Sequence, residues 1–199
     1  MGYFNKNLDE NDNANGFIFD LLDSYVSNFN STYIIDYSSY YFQLNHKINS
    51  LVNIIFNIRK DDYKNQYYSS STILEYGSYS SSTNQSPIHK KNENIYSGRI
   101  AFKLNKIYLS ISQGHKAGGF NQNPFISESN RLYQPEYSKN FEFGYKDSIG
   151  RLSIDLNYFY MNRGDLHVNI ADQADTDNPL SFYFFTSNIE NGINEGIDL

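Results

Sequence analysis

Apolar and polar residues alternate with a period of two in block after block of this chain. From Leu51 to Arg59, Val52, Ile54, Phe56 and Ile58 share one face of an extended segment; Asn53, Asn57 and Arg59 share the other with Leu51 and Ile55. Ile100, Phe102 and Leu104 then oppose Arg99 and Lys103, and Ile107, Leu109 and Ile111 alternate with Tyr108, Ser110 and Ser112. Phe141, Phe143 and Tyr145 alternate with Glu142, Gly144 and Lys146. The longest case runs Leu152, Ile154, Leu156, Tyr158, Tyr160 against Ser153, Asp155 and Asn157. Tyr40, Phe42 and Leu44 upstream, and Leu166, Val168 and Ile170 downstream, repeat the pattern. Such alternation predicts two-faced β-strands. None of these apolar-face positions carries a charge. Lipid would enforce that, since a lipid-facing Lys or Arg costs ~2–4 kcal/mol near the midplane. A sandwich core would enforce it too.

Connection lengths separate the two. Short turns are expected at 45–50, 105–106 and 147–151, and long connections at roughly 60–96, 113–139 and 161–164 or beyond. Loops beyond about 12–15 residues are uncommon in compact domains. Outer-membrane barrels combine short periplasmic turns with long extracellular loops. The stretch 60–94 is rich in Lys, Asp, Asn, Tyr and Ser, with SSST runs at 69–72 and 80–83, and reads as solvent-exposed.

Composition sharpens the picture. The chain has 199 residues, 19 Tyr and 15 Phe, yet no Trp, no Cys and a mean hydropathy of -0.61. So many rings argue against disorder. A net charge of -6 disfavours a nucleic-acid partner. The sequence has no run of 18 apolar residues for a membrane helix, a test that β-strands escape. Tyrosines near strand ends suit an interface girdle; in a soluble module they would stack on sugars. Residues 1–16 do not read as a signal peptide and the last residues end inside a strand pattern, so a fragment of a longer protein is expected.

The chemistry-bearing candidates are weak. The Gly114–Gly119 stretch GHKAGG lacks the spacing of a phosphate loop. Asp9, Asn11 and Asn13 imitate a calcium loop without its glycine or glutamate. Asp172, Asp175 and Asp177 read as a solvated acidic turn, and His46, His89, His115 and His167 are too scattered for a metal site. No catalytic residue, metal or cofactor is expected, and no enzymatic activity.

From residue 113 the chain reads QGHKAGGFN, then Gln134-Pro135-Glu136, then Asn140-Phe141-Glu142-Phe143-Gly144-Tyr145-Lys146. This resembles the G-[FY]-K-[AS]-G-G-F-N and P-E-x-x-x-N-x-E-x-G-x-K signatures of TonB-dependent outer-membrane receptors. Tyr41-Phe42-Gln43-Leu44 with Arg59, and Asn188 with Glu195-Gly196-Ile197-Asp198, are similar to further stretches of that family. His115 stands where the family has an aromatic, and Asp198 where it has Glu.

The resemblance implies an all-β fold: an incomplete antiparallel transmembrane β-barrel of about eight strands out of 22. Residues 33–199 would be the partial barrel, truncated at both ends, and 1–32 a polar upstream segment, loop or strand remnant. It implies residence in a Gram-negative outer membrane and energy-coupled uptake of a scarce ligand, most often a ferric siderophore. The lipid bilayer would be a partner, and the TonB complex would be reached only through a plug and TonB box that this chain lacks. Gly114, Lys116, Gly118, Gly119, Phe120, Asn121, Pro135, Glu136, Asn140, Glu142, Gly144 and Lys146 carry the motif, with mostly structural roles expected. Lys116, Asn121, Glu136, Arg163 and His167 are the candidates for ligand contact. Two other readings compete: a self-contained small outer-membrane barrel with a structural or adhesive role, and a soluble secreted β-sandwich that binds glycans.

Overall fold

The computed structural model describes all residues except 20–23, 76–79, 124–125, 174–175 and 178–181, and describes no side chains for 12–27, 73 and 75–81 as well. The elements are β1 (Gly2–Phe19), β2 (Ser24–Lys47), β3 (Val52–Glu75), β4 (Ser80–Gln85), β5 (His89–Leu104), β6 (Ile107–Lys116), β7 (Gly119–Phe120), α1 (Glu128–Arg131), β8 (Leu132–Tyr133), β9 (Glu136–Ile149), β10 (Leu152–Gln173) and β11 (Phe182–Asp198). Nine strands form one antiparallel sheet in the order β1-β2-β3-β5-β6-β9-β10-β11, with β4 also on β3; β7 and β8 make a separate pair. The sheet is not closed, so it is a partial barrel.

The expected alternation sets the register. Leu44, Phe56, Ile100, Ile111, Phe141 and Tyr160 stand side by side in successive ladders. Many of these apolar residues are exposed, among them Ile100 and Ile111, as suits a face that meets lipid. Charges on this outer face gather near its margins, such as Asp147, bonded to Lys106 at the turns. Glu195, opposite Tyr160 on β11, is an exception.

Turn chemistry closes the hairpins at one end. Asn105 (φ 53) and Gly150 (φ 62) take the left-handed backbone needed in the two-residue turns after β5 and β9. Asn49 Oδ1 accepts from the Leu51 and Val52 amides to fasten the turn after β2.

The connections at the other end differ from the sequence expectation. Most of 60–96 is strand: β3 runs on to Glu75, and β4 and β5 pair with it in succession. The break between β4 and β5 falls at 86–88, where Pro87 cannot donate to a ladder. The connection expected at 161–164 is also strand, since β10 continues to Gln173. Asp165 (φ 53) interrupts it without a change of register; its carbonyl accepts from Asn188 Nδ2 at 2.7 Å. The β3–β4 arm escapes sequence reading because neither of its faces is uniformly apolar, whereas in β10 the alternation of Leu166, Val168 and Ile170 marks the strand and only the break expected before it is absent. The expected loop 113–139 shrinks to 117–135. Residues 1–32 hold β1 and the start of β2.

The excursion 117–135 shows how the sheet curls. Phe120 packs on Tyr33 of β2, while its neighbour Asn121 bonds to Thr186 of β11, six sheet positions away. Only a sheet rolled around the excursion brings both within reach. Tyr33 and Tyr67 with Phe120 form one small core, and Ile126 with Tyr183 and Phe185 another.

Candidate functional site

The site lies where the excursion meets the inner face beyond the apolar band. A strand of 9–11 tilted residues spans a bilayer. Counting back from the turn after β9, Glu136 and everything in 117–135 stand clear of it.

Backbone proximity explains the glycines. A Cβ on Gly118 would come within 2.5 Å of the Tyr133 carbonyl, and one on Gly119 within 2.7 Å of both the Tyr133 and Tyr33 hydroxyls. The β7–β8 pairing, Gly119 opposite Tyr133 and Phe120 opposite Leu132, therefore needs both glycines. Asn121 acts as a peptide mimic. Its Nδ2 donates to the Thr186 carbonyl (2.8 Å) and the Asn130 carbonyl (2.8 Å), and its Oδ1 accepts from the Thr186 amide (2.9 Å).

Glu136 anchors the start of β9. The residue is 6% exposed, and its carboxylate accepts from Arg163 Nε (2.8 Å) and Nη2 and from the His167 backbone N–H (2.9 Å). Burial alone would raise its pKa. The His167 amide and the Arg163 guanidinium together outweigh that, so the carboxyl titrates below the usual glutamate range. Its contribution to stability is complete above the ordinary glutamate pKa of about 4.3 and is lost as pH falls through the depressed folded value. Exchange protection of the His167 amide is accordingly expected to persist at pH 5 and to be lost only once the pH falls below the ordinary glutamate range. Glu136→Gln should remove that acid step.

Gln134 stitches the excursion to both arms. Its amide N–H donates to Asn188 Oδ1 (2.8 Å), and its carbonyl accepts from Asn188 Nδ2 (3.0 Å) and contacts His167 Nε2 (2.6 Å). Lys91 Nζ of β5 donates to the Tyr133 carbonyl (3.2 Å) and to Gln134 Oε1 (3.0 Å), and pairs with Glu93. Burial raises the pKa of the Tyr133 and Tyr33 hydroxyls, with Glu93 adding to both. They remain neutral donors at physiological pH.

The remaining motif residues sit lower on the wall. Glu142 accepts from Asn140 (2.6 Å) and Ser110 (3.2 Å), while Lys146 pairs with Asp155 (2.7 Å) over the Tyr108 ring. Gly144 leaves room for that ring: a Cβ would stand 2.1 Å from it. Gly114 lies against Ser138, and Pro135 is buried between Gln134 and Glu136. Of the five ligand-contact candidates, Glu136, Arg163 and His167 come together and Asn121 is spent on β11. Lys116 is exposed, opposite Glu136 in the ladder.

Sequence reading missed the groups that hold the excursion down. Arg131, 5% exposed, donates to the carbonyls of Asn121, Asn123 and Ile126 and lies 5.3 Å from the Tyr67 ring centroid. It also missed a fully buried Asp61, which accepts from Tyr37 (2.8 Å) and Arg59 and pairs with His115 Nε2 (3.1 Å). That contact gives the unusual His115 a structural partner. Among the described residues no group of His, Asp or Glu could hold a metal ion. Asp172 accepts from the Tyr183 hydroxyl (3.2 Å), while Asp175 and the Asn13 side chain lie outside the described residues.

A curled antiparallel sheet with an apolar outer band, a polar inner face and short turns at one end defines the wall of a transmembrane β-barrel. Similarity places that wall: the chain belongs to the TonB dependent receptor-like, beta-barrel family, whose profile matches residues 1–199. Members of this family are outer-membrane transport proteins. The fold is similar to that of the ferric yersiniabactin uptake receptor FyuA from Yersinia pestis, with a TM-score of 0.62 and 17% identity. The match covers 98% of this chain and 28% of the FyuA chain. A search of curated proteins finds no significant match.

Proposed function

We propose that this chain supplies part of the wall and outer rim of a TonB-dependent receptor that takes up a ferric siderophore across a Gram-negative outer membrane. The family match carries this reading, and the uptake role of FyuA supports the ligand class. The open edges of β1 and β11 would leave backbone groups without partners in lipid, which supports a sheet completed by further strands. In this reading the partial barrel takes in β1 and the polar start of β2 within 1–32 as well as 33–199, and energy reaches the ligand through a plug and TonB rather than through this segment. No bond is made or broken.

Lys116 and Arg163 are the ligand-contact residues we favour, because both keep exposed cationic groups at the rim. Asn121, Glu136 and His167 position the rim around them. Equilibrium dialysis of radioiron-loaded siderophores against the full chain, folded in detergent, tests the reading. At least one siderophore should be retained, and Lys116→Glu should weaken retention about tenfold, ~1.4 kcal/mol. A chain that stays soluble without detergent, melts in one sharp transition and retains no siderophore would instead favour a soluble β-sandwich.

A further inference from the structure

Four donor side chains from β2, β3 and β6 converge around Asp61. Tyr37 stands opposite Tyr63 in the β2–β3 ladder, and their rings stack with centroids 4.6 Å apart, so that the two hydroxyls interact. Asp61 lies two residues before Tyr63, on the same face of β3, and is fully buried. Its Oδ1 accepts from the Tyr37 hydroxyl at 2.8 Å, and its Oδ2 faces His115 Nε2 across 3.1 Å. The His115 ring also meets Tyr63 edge-on, with centroids 6.3 Å apart. Arg59 Nε sits between the two carboxylate oxygens, donating to Oδ1 (2.9 Å), and Nη2 reaches the Tyr37 hydroxyl.

Packing alone does not account for this cluster. Asp61 Oδ2 is left without a hydrogen bond of its own, and so is Nδ1 of His115, whose side chain is 7% exposed. Buried acceptors in that state call for water or an ion. Ligands on adjacent corners of an octahedron with bonds of about 2.0–2.1 Å stand roughly 2.9 Å apart. The Tyr37–Asp61 and Asp61–His115 contacts, 2.8 and 3.1 Å, bracket that edge. Phenolate and carboxylate oxygens with one imidazole suit ferric iron, a hard cation for which tyrosinate is an established protein ligand. Only two of the four donors are of the His, Cys, Asp or Glu type, so no grouping of those residues announces the site.

We propose that Tyr37, Asp61, Tyr63 and His115 form a binding site for the ferric ion itself, with Arg59 holding a small chelating anion on the two remaining corners. Binding releases both phenolic protons to water. Three anionic ligands then balance the charge of the ion, which frees the Arg59 charge for the anion. A pocket of about 490 Å³ lined by Arg59, Tyr63 and His115 gives access. The site takes iron without an organic carrier and does not rest on the siderophore reading.

Titrating the full chain, folded in detergent, with ferric nitrilotriacetate in bicarbonate buffer tests it. A visible tyrosinate-to-iron charge-transfer band should rise and saturate at a single iron per chain. Tyr63→Phe preserves the ring stack; it should remove one phenolate's share of the band and weaken iron retention by about tenfold or more. Arg59→Gln should weaken retention roughly tenfold and abolish its dependence on bicarbonate. Tyr108→Phe, elsewhere on the inner wall, should change neither. Gallium(III), of equal charge but without the colour, should displace the iron and bleach the band. No band in the unaltered chain, or a band that Tyr37→Phe and Tyr63→Phe both leave intact, overturns the site. Siderophore retention by a chain that shows no such band overturns this site alone and leaves the proposed function standing.

Discussion

Phe56→Arg should destabilise the membrane-embedded barrel that includes this wall by ~2–4 kcal/mol, whereas Asn45→Arg should change its stability by less than about 0.5 kcal/mol. Phe56 stands between Leu44 and Ile100 in the apolar row of the outer face, four residues into β3 from its turn. An arginine there faces acyl chains, too far from either interface to reach water at low cost. Asn45 lies on β2 with its side chain on the opposite face, across from Ile55. The inner face already carries Arg59, Arg99 and Lys103, so one more charge meets water and polar neighbours. Urea denaturation of the completed barrel in vesicles reads the difference as a shift in midpoint. Equal shifts would mean that both faces meet the same solvent, and the two-faced wall would be lost as an explanation of the alternation.

This face assignment was the part of the fold most legible in the sequence. Wherever one face must be apolar, as at Leu152–Tyr160 or Ile107–Ile111, burial in lipid writes a period of two into the chain. The turn after β5 was legible for the same reason, since it is where the alternation stops and restarts. Beyond the bilayer no such pressure acts. The Tyr67-Tyr68-Ser69-Ser70 stretch of β3 is strand because β2 pairs along all of it while β5 pairs with Tyr67 and β4 with Ser70, a cause that leaves no residue pattern. The motif glycines stood out in the sequence without a reason; their φ angles are ordinary, and the close approach of the Tyr133 carbonyl to Gly118 supplies it. Glu136 was visible as a motif residue, but its partners Arg163 and His167 lie more than twenty residues away and are united only by the β9–β10 ladder. Arg131 gave no signal at all. A single basic residue in a polar segment reads as solvated, and its burial depends entirely on how the excursion folds back.

That burial makes Arg131 the residue whose loss should most change the rim. Its guanidinium closes the carbonyls of Asn121 (2.7 Å) and Ile126 (2.9 Å) and joins the Ile126 amide on that of Asn123 (2.9 Å). Its own carbonyl accepts from the Asn121 amide (2.8 Å), so one residue pins both ends of the turn. Hydrogen bonds to a charged group contribute roughly 1.5–3 kcal/mol each. Two such bonds already exceed the stability expected of a short surface segment. Arg131→Met keeps an apolar stem under Tyr67 but takes away the guanidinium's bonds to the Asn121 and Ile126 carbonyls, and should cost the excursion ~3 kcal/mol or more. Arg131→Lys should recover only part of this, because one ammonium cannot reproduce a planar fork aimed at three acceptors. Asn121 joins the excursion to Thr186, and Phe120 joins it to Tyr33 and Tyr67, so its release should also loosen β11 from β2 at the outer end. Limited proteolysis within 117–135, together with amide exchange at Asn121 and Thr186, would show the release. The circular dichroism of the spanning strands should stay unchanged. Full protection at both amides in Arg131→Met would mean that the aromatic cluster of Tyr33, Tyr67 and Phe120 holds the excursion without it.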